Sequence, residues 1–203
     1  MPQFGLRSIY AAKYNNTQGV IGYSDIQHVG DAISANLELR YAEGRLYAED
    51  MLAEYMRKAV GGTISIGVKY IKQAAQHLLF NSKTKSRSIP YTPAGTTATA
   101  TATAVSSVIS GENEGQYVGV AFFAPDMVDG VEKYTCVLIK KALFGPPSMS
   151  LQTMGESITF NTPTTSGEFL ADDSATHDLM EVAIVDNIEA AKAWVQTVLG
   201  GNS

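Results

Sequence analysis

Few residues in this sequence have types and spacing that could do chemistry. The three histidines, His28, His77 and His177, stand far apart, and none lies four residues from another. Zinc needs His, Cys or carboxylate ligands at short fixed spacings, such as two histidines at i and i+4. His77 falls in a helix-like stretch and reads as a helix-surface residue. Cys136 is the sole cysteine, which excludes an internal disulfide and a multi-thiolate metal site. It lies within an apolar run, whereas a nucleophilic thiol needs an accessible, electropositive setting. Cys136 therefore reads as a buried, inert thiol.

Asp172-Asp173-Ser174 and His177-Asp178 gather carboxylates, a hydroxyl and an imidazole into one short stretch. The ligand spacing of a calcium loop is missing, so a polar turn between strands is the reading. Gly155-Glu156-Ser157 lacks the second glycine of a nucleophile elbow. There is no phosphate-binding glycine loop of either common type. Asn15-Asn16-Thr17 fits a glycosylation sequon, which matters only on a secretory route. Met1-Pro2-Gln3-Phe4 opens without a basic segment and apolar core, so no secretory signal is expected. No catalytic residue, metal or cofactor emerges.

The elements around these residues are mostly strands. Ile33 to Tyr41 alternates apolar and polar, as does Thr63 to Tyr70, with Ile64, Ile66 and Val68 on one side. Ser157 to Thr162 and Met180 to Ile184 repeat the pattern, and Arg7 to Tyr14 and Ser148 to Met154 follow it loosely. Tyr117 to Ala124 is apolar at almost every position and should be covered on both faces. Asp129-Gly130 joins it to Lys133 to Lys141 as a hairpin. About eight strands without regular helices between them predict an antiparallel β-sandwich or barrel.

Two short helices are predicted. Ile188 to Leu199 places Ile188, Ala191, Trp194, Val195 and Leu199 on one face, with Asp186 and Glu189 as a capping box and Gly200-Gly201 as the stop. Ile71 to Phe80 carries a shorter apolar stripe. Met51 to Val60 fits helical spacing locally, yet it runs into Gly61-Gly62 and a strand, which suits a hairpin. Ser82 to Gly115 is the odd region. It holds Lys83, Lys85 and Arg87, a Pro90-Tyr91-Thr92-Pro93 corner and a Thr/Ala repeat with little apolar area, and reads as a long loop or arm.

The chain of 203 residues has a formal net charge of -5, and one domain of this length buries roughly 70% of its unfolded surface. The acidic balance argues against a conventional DNA-binding surface, which clusters Lys and Arg. No apolar run approaches the roughly 20 residues that span a bilayer. One domain over residues 1–203, made in a cytoplasm and not inserted in a membrane, is the expectation.

The order of motifs resembles the phi13-type family of siphophage major tail proteins. The resemblance runs through Gly5-Leu6-Arg7, Leu46-Tyr47-Ala48-Glu49-Asp50 and Gly61-Gly62-Thr63. It continues with Lys140, Leu143-Phe144, Pro146-Pro147, Thr153 to Phe160, Thr162-Pro163, Glu189-Ala190-Ala191 and Ala193-Trp194. The resemblance implies a mainly β fold, an antiparallel sandwich or half-barrel of the tail-tube type with one or two flanking helices. It implies a structural virion protein that closes into rings, typically hexameric, and stacks into the tube of a non-contractile tail. Its implied partners are other copies of itself, a tape measure protein in the lumen, and terminator and distal tail proteins at the ends. DNA would pass through without specific binding. On this resemblance Met51 to Val60 is a strand of an extended hairpin that reaches a neighbouring subunit. Lys83, Lys85, Arg87, Pro90 and Tyr91 are the expected assembly-interface residues. Relatives tend to place a glycine after Leu78-Leu79, where this chain has Phe80-Asn81. The alternatives are another tail ring component, either a terminator or a baseplate protein, and a carbohydrate-binding β-sandwich. Against the last, Trp194 is expected on a buried helix face.

Overall fold

The computed structural model describes residues 5–111, 114–128, 130–149 and 162–200. Among these described residues, ten strands and two helices follow in the order β1 (Arg7–Thr17), β2 (Val20–Gly30), β3 (Ala32–Ala48), β4 (Met51–Val68), α1 (Gln73–Phe80), β5 (Lys83–Tyr91), β6 (Ala100–Val108), β7 (Tyr117–Val128), β8 (Val131–Phe144), β9 (Thr164–Leu170), β10 (Met180–Val185) and α2 (Ile188–Val198). The main sheet is antiparallel, with the order β2-β1-β7-β8-β9-β4-β3. β8 is shared: Tyr134 to Ile139 pair with β10, and Lys141 to Phe144 pair with β9. The path starts at β2 and ends at β3, and among the described residues no pairing joins these ends into a closed barrel.

β7 shows why the sheet is covered on both faces. Val118 and Val120 enter one core with Ile9, Ile64, Ile66, Val68, Phe169 and α1. Ala121 and Phe123 point the other way, into a second core with Cys136, Leu138 and α2. Strand side chains alternate faces, so a run apolar at every position feeds two cores. Fully burying one side chain such as Phe169 or Ile66 stabilises by roughly 1.5–3 kcal/mol.

Helix α2 buries Ala191, Val195 and Leu199, and Trp194 is packed against the same core while remaining partly accessible. Its N-cap differs from the expected Asp186 box. Asn187 holds the cap, accepting from the Ala190 N–H at 2.7 Å through Oδ1. Helix α1 spans only Gln73–Phe80 and ends on Asn81, which is left-handed at φ 48°. Asn81 thus takes the conformation that a glycine supplies at a helix exit.

Two further differences from the sequence reading stand out, and the ambiguous Met51 to Val60 stretch resolves. Val20–Gly30 forms β2, a strand absent from the expected set. Met51 to Val60 is strand, as the resemblance implies and against its local helical spacing, continuous with the alternating Thr63 stretch in β4. Lys83 to Val108 is a paired hairpin in place of a long loop, and the Thr/Ala repeat supplies β6. The expected strands Ser157 to Thr162 and Ser148 to Met154, and the Thr153 to Phe160 motif, lie outside the described residues except at their ends. At one of those ends, Ser148 bridges Thr164. No helix among the described residues is long and apolar enough to cross a membrane.

Candidate assembly surfaces

The β3–β4 hairpin outruns the sheet. β9 pairs with β4 only from Gly62 to Gly67. Beyond it, β3 and β4 continue paired with each other alone, from Tyr41↔Ala59 to Ala48↔Met51. At about 3.3 Å per residue this arm projects roughly 25 Å. Glu49 and Asp50 form its tip, both left-handed at φ 51° and 62°, as a two-residue turn with the twist of the strands requires.

The arm's two faces differ. One continues the core-facing side of β3 and carries a ladder of aromatic rings and charges. The Arg57 guanidinium lies 3.6 Å from the Tyr41 ring centroid. Glu43 pairs with both Arg57 and Arg45, at 3.5 and 3.4 Å. Arg45 in turn lies 5.7 Å from the Tyr55 ring. A hydrogen bond with Glu43 raises the Tyr55 phenol above its ordinary pKa. The opposite face pairs Leu46 with Glu54, Gly44 with Met56 and Ala48 with Met51. Met51 and Met56 are 73% and 75% exposed there, and Leu46 is 57% exposed. An isolated two-stranded ribbon is marginal in water, and a contiguous exposed apolar patch marks an interaction surface.

A second ribbon, β5–β6, carries all five expected interface residues, and every one is exposed. Lys83, Lys85, Arg87 and Tyr91 share one face with Ile89, while Pro90 turns to the other. Opposite the basic row stand Val108, Ser106 and Ala104, with Ala102 and Ala100 beyond. The threonines of the repeat occupy the reverse face. None of Lys83, Lys85 and Arg87 has an ion pair among the described residues. His77 anchors this ribbon to α1, its Nδ1 facing Ser82 and its Nε2 lying 2.9 Å from the Thr84 hydroxyl. It joins two elements, where the sequence suggested a helix-surface residue.

The chemistry-bearing residues elsewhere are occupied by the fold. Asp172 is 2% exposed and accepts from the Ser174 and Asp178 backbone N–H groups and the Ser174 hydroxyl. Lys140 bridges Asp172, at 3.4 Å, and Asp178. Burial works to raise the Asp172 pKa, but the Ser174 hydrogen bonds and the Lys140 charge outweigh it and hold it below the ordinary value. Lys141 pairs with Asp173 at 2.8 Å, and that hydrogen bond leads the causes that lower the Asp173 pKa. This is the polar turn the sequence suggests, between β9 and β10. Burial lowers the His28 pKa, and the neighbouring Lys72 adds to the effect. Burial raises the Cys136 thiol to about 11.

The acidic arm tip was missed in the sequence, although composition carries it. Leu46 to Met56 contains Glu49, Asp50 and Glu54 and no base, whereas Ser82 to Gly111 contains three bases and no acid. Compared with protein-family models and with curated proteins, the chain gives no match.

Proposed function

We propose that this chain is a structural virion protein, the major tail tube subunit of a non-contractile phage tail. The observation that carries the reading is the β3–β4 arm, which extends past its own sheet with Leu46, Met51 and Met56 uncovered. An apolar ribbon of this kind gains stability when a neighbouring copy covers it. The edges at β2 and β3, unpaired among the described residues, add backbone donors and acceptors for pairing between subunits. Head-to-tail contacts close into a ring when the rotation permits, and stacked rings extend into a tube. The sequence resemblance supplies the hexameric ring, the tape measure protein in the lumen, and the terminator and distal tail proteins at the ends. An acidic chain lets DNA slide through without binding.

Sedimentation across a concentration series, with negative-stain electron microscopy, tests the reading. Rings or tubes are expected as concentration rises, and a monomer at every concentration would sink it. Double-stranded DNA should show no measurable binding at physiological salt; tight, salt-sensitive binding would contradict the acidic lumen. Copy number in the virion separates a tube subunit, present in abundance, from a terminator or baseplate ring.

A further inference from the structure

We propose that the acidic tip of the arm on one copy docks against the basic face of the β5–β6 ribbon on another copy. This deepens the self-assembly reading and rests on it. Both elements are projecting two-stranded ribbons, exposed along nearly their whole length. The outer end of the arm is acidic and the ribbon basic, while Arg45, Arg57 and Lys58 lie nearer the arm's base. Glu49, Asp50 and Glu54 stand at the arm's end with no base between Leu46 and Met56. Lys83, Lys85 and Arg87 form a row with no acid between Ser82 and Gly111. None of these six residues has an ion pair among the described residues.

The surfaces also match in shape and polarity. Across from Lys85 and Arg87, Ser106 and Ala104 are small, and Val108 faces Lys83, so β6 forms a low strip beside tall Lys and Arg side chains. The long Met51, Glu54 and Met56 side chains on one face of the arm can lie along such a strip. Ile89 and Tyr91, 45% and 49% exposed, continue the basic face with apolar surface. The apolar area supplies affinity, while the charges set orientation and register, because exposed ion pairs contribute little singly.

The charge pattern dictates the kind of contact. Two acidic tips repel each other, as do two basic ribbons, so neither can meet its own kind. Like-charge juxtaposition costs several kcal/mol. The favoured contact is therefore tip to ribbon, which is heterologous and propagates from copy to copy.

Charge reversal with the full chain tests this. One variant carries Glu49→Lys, Asp50→Asn and Glu54→Lys; Asn is chosen because it tolerates the left-handed conformation at position 50. The other carries Lys83→Glu, Lys85→Glu and Arg87→Glu. Each alone should associate about 100-fold more weakly than the wild type. Mixed in equal amounts, the two should co-assemble, because each presents the charge that the other has lost. Restoration in the mixture also demonstrates that both variants are folded. If either variant assembles alone like the wild type, or if the mixture stays dissociated, the docking is wrong while the self-assembly reading stands. If the wild type itself never assembles, both fall.

Discussion

The Phe169 ring occupies the space in which a Cβ on Gly62 would stand, with ring carbon Cζ 2.5 Å from that position. The two residues are direct cross-strand partners of β4 and β9. The Glu38 carbonyl closes the site from the β3 side, 2.1 Å from the same point. Gly62 thus lets a fully buried phenylalanine lie against the sheet just where the arm departs. Gly62→Ala should destabilise the chain by about 1–3 kcal/mol through overpacking. Denaturant unfolding checks this, and an unchanged midpoint would count against the close approach.

Acid sensitivity should centre on the β9–β10 turn. The carboxyls of Asp172, Asp173 and Asp178 are held below their ordinary pKa values by their partners. Groups depressed in the folded state contribute stability that is fully present above the unfolded pKa, about 4, and lost as pH falls through the folded values. Thermal midpoints should therefore hold steady from about pH 7 to 5 and drop below about pH 4. Lys140→Met removes the partner of nearly buried Asp172. It should cost about 2–3 kcal/mol at neutral pH, less than a fully buried pair, and flatten the acid limb.

Cys136 should be silent to thiol reagents in the folded chain. Its thiol is fully buried and raised from 9.0 to about 11, which alone reduces thiolate about 100-fold at pH 8. Labelling with a chromogenic disulfide should be negligible until denaturant is added. Rapid native labelling would mean that the second core opens readily.

The α2 cap offers a quantitative check. Asn187→Ala removes the acceptor for the Ala190 N–H and should lower stability by about 1 kcal/mol. Asp186→Ala at the neighbouring position should cost much less, apart from its exposed pairing with Lys133. The reverse order would move the cap to Asp186.

Trypsin should report on the β5–β6 ribbon. Its sites at Lys83, Lys85 and Arg87 are exposed in the single chain, and this short ribbon frays more readily than the main sheet. Cleavage there should be early in unassembled chain and strongly slowed in assembled material. Equal rates in both states would remove the ribbon from the interface.

Much of the sheet was legible because burial leaves a periodic trace. Tyr117 to Ala124 announced two covered faces, and Val118 and Phe123 fill separate cores. The α2 stripe survived with its cap displaced by one residue, since Asp186 and Asn187 are both good capping types. The arm was harder to read. Extra residues in β4 near Ala53 and Val60 shift its register against β3, so its apolar positions fell by accident at helical spacing. Uncovered strands also escape the alternation that one-sided burial imposes. That is why the Thr/Ala repeat looked like loop, although pairing with β5 alone makes it strand. Val20–Gly30 was missed because its burial is mixed and its pairing with β1 contains irregularities. The basic row on β5 stood out by its charge, whereas the acidic tip of the arm was overlooked because apolar neighbours dominate that stretch.

The adjacency of β1 and β7, with Arg7 opposite Phe123, also bears on how the chain is made. β1 acquires its inner neighbour only after more than a hundred further residues have been synthesised. At about 5–20 residues per second, the β1–β2 hairpin waits on the order of 5–20 s with an unpaired, partly apolar edge. During that interval the nascent chain is most exposed to wrong pairing, with itself or with a neighbour on the same message. Slowed synthesis between β2 and β7 should therefore lower the yield of correctly folded chain even though the finished sequence is unaltered.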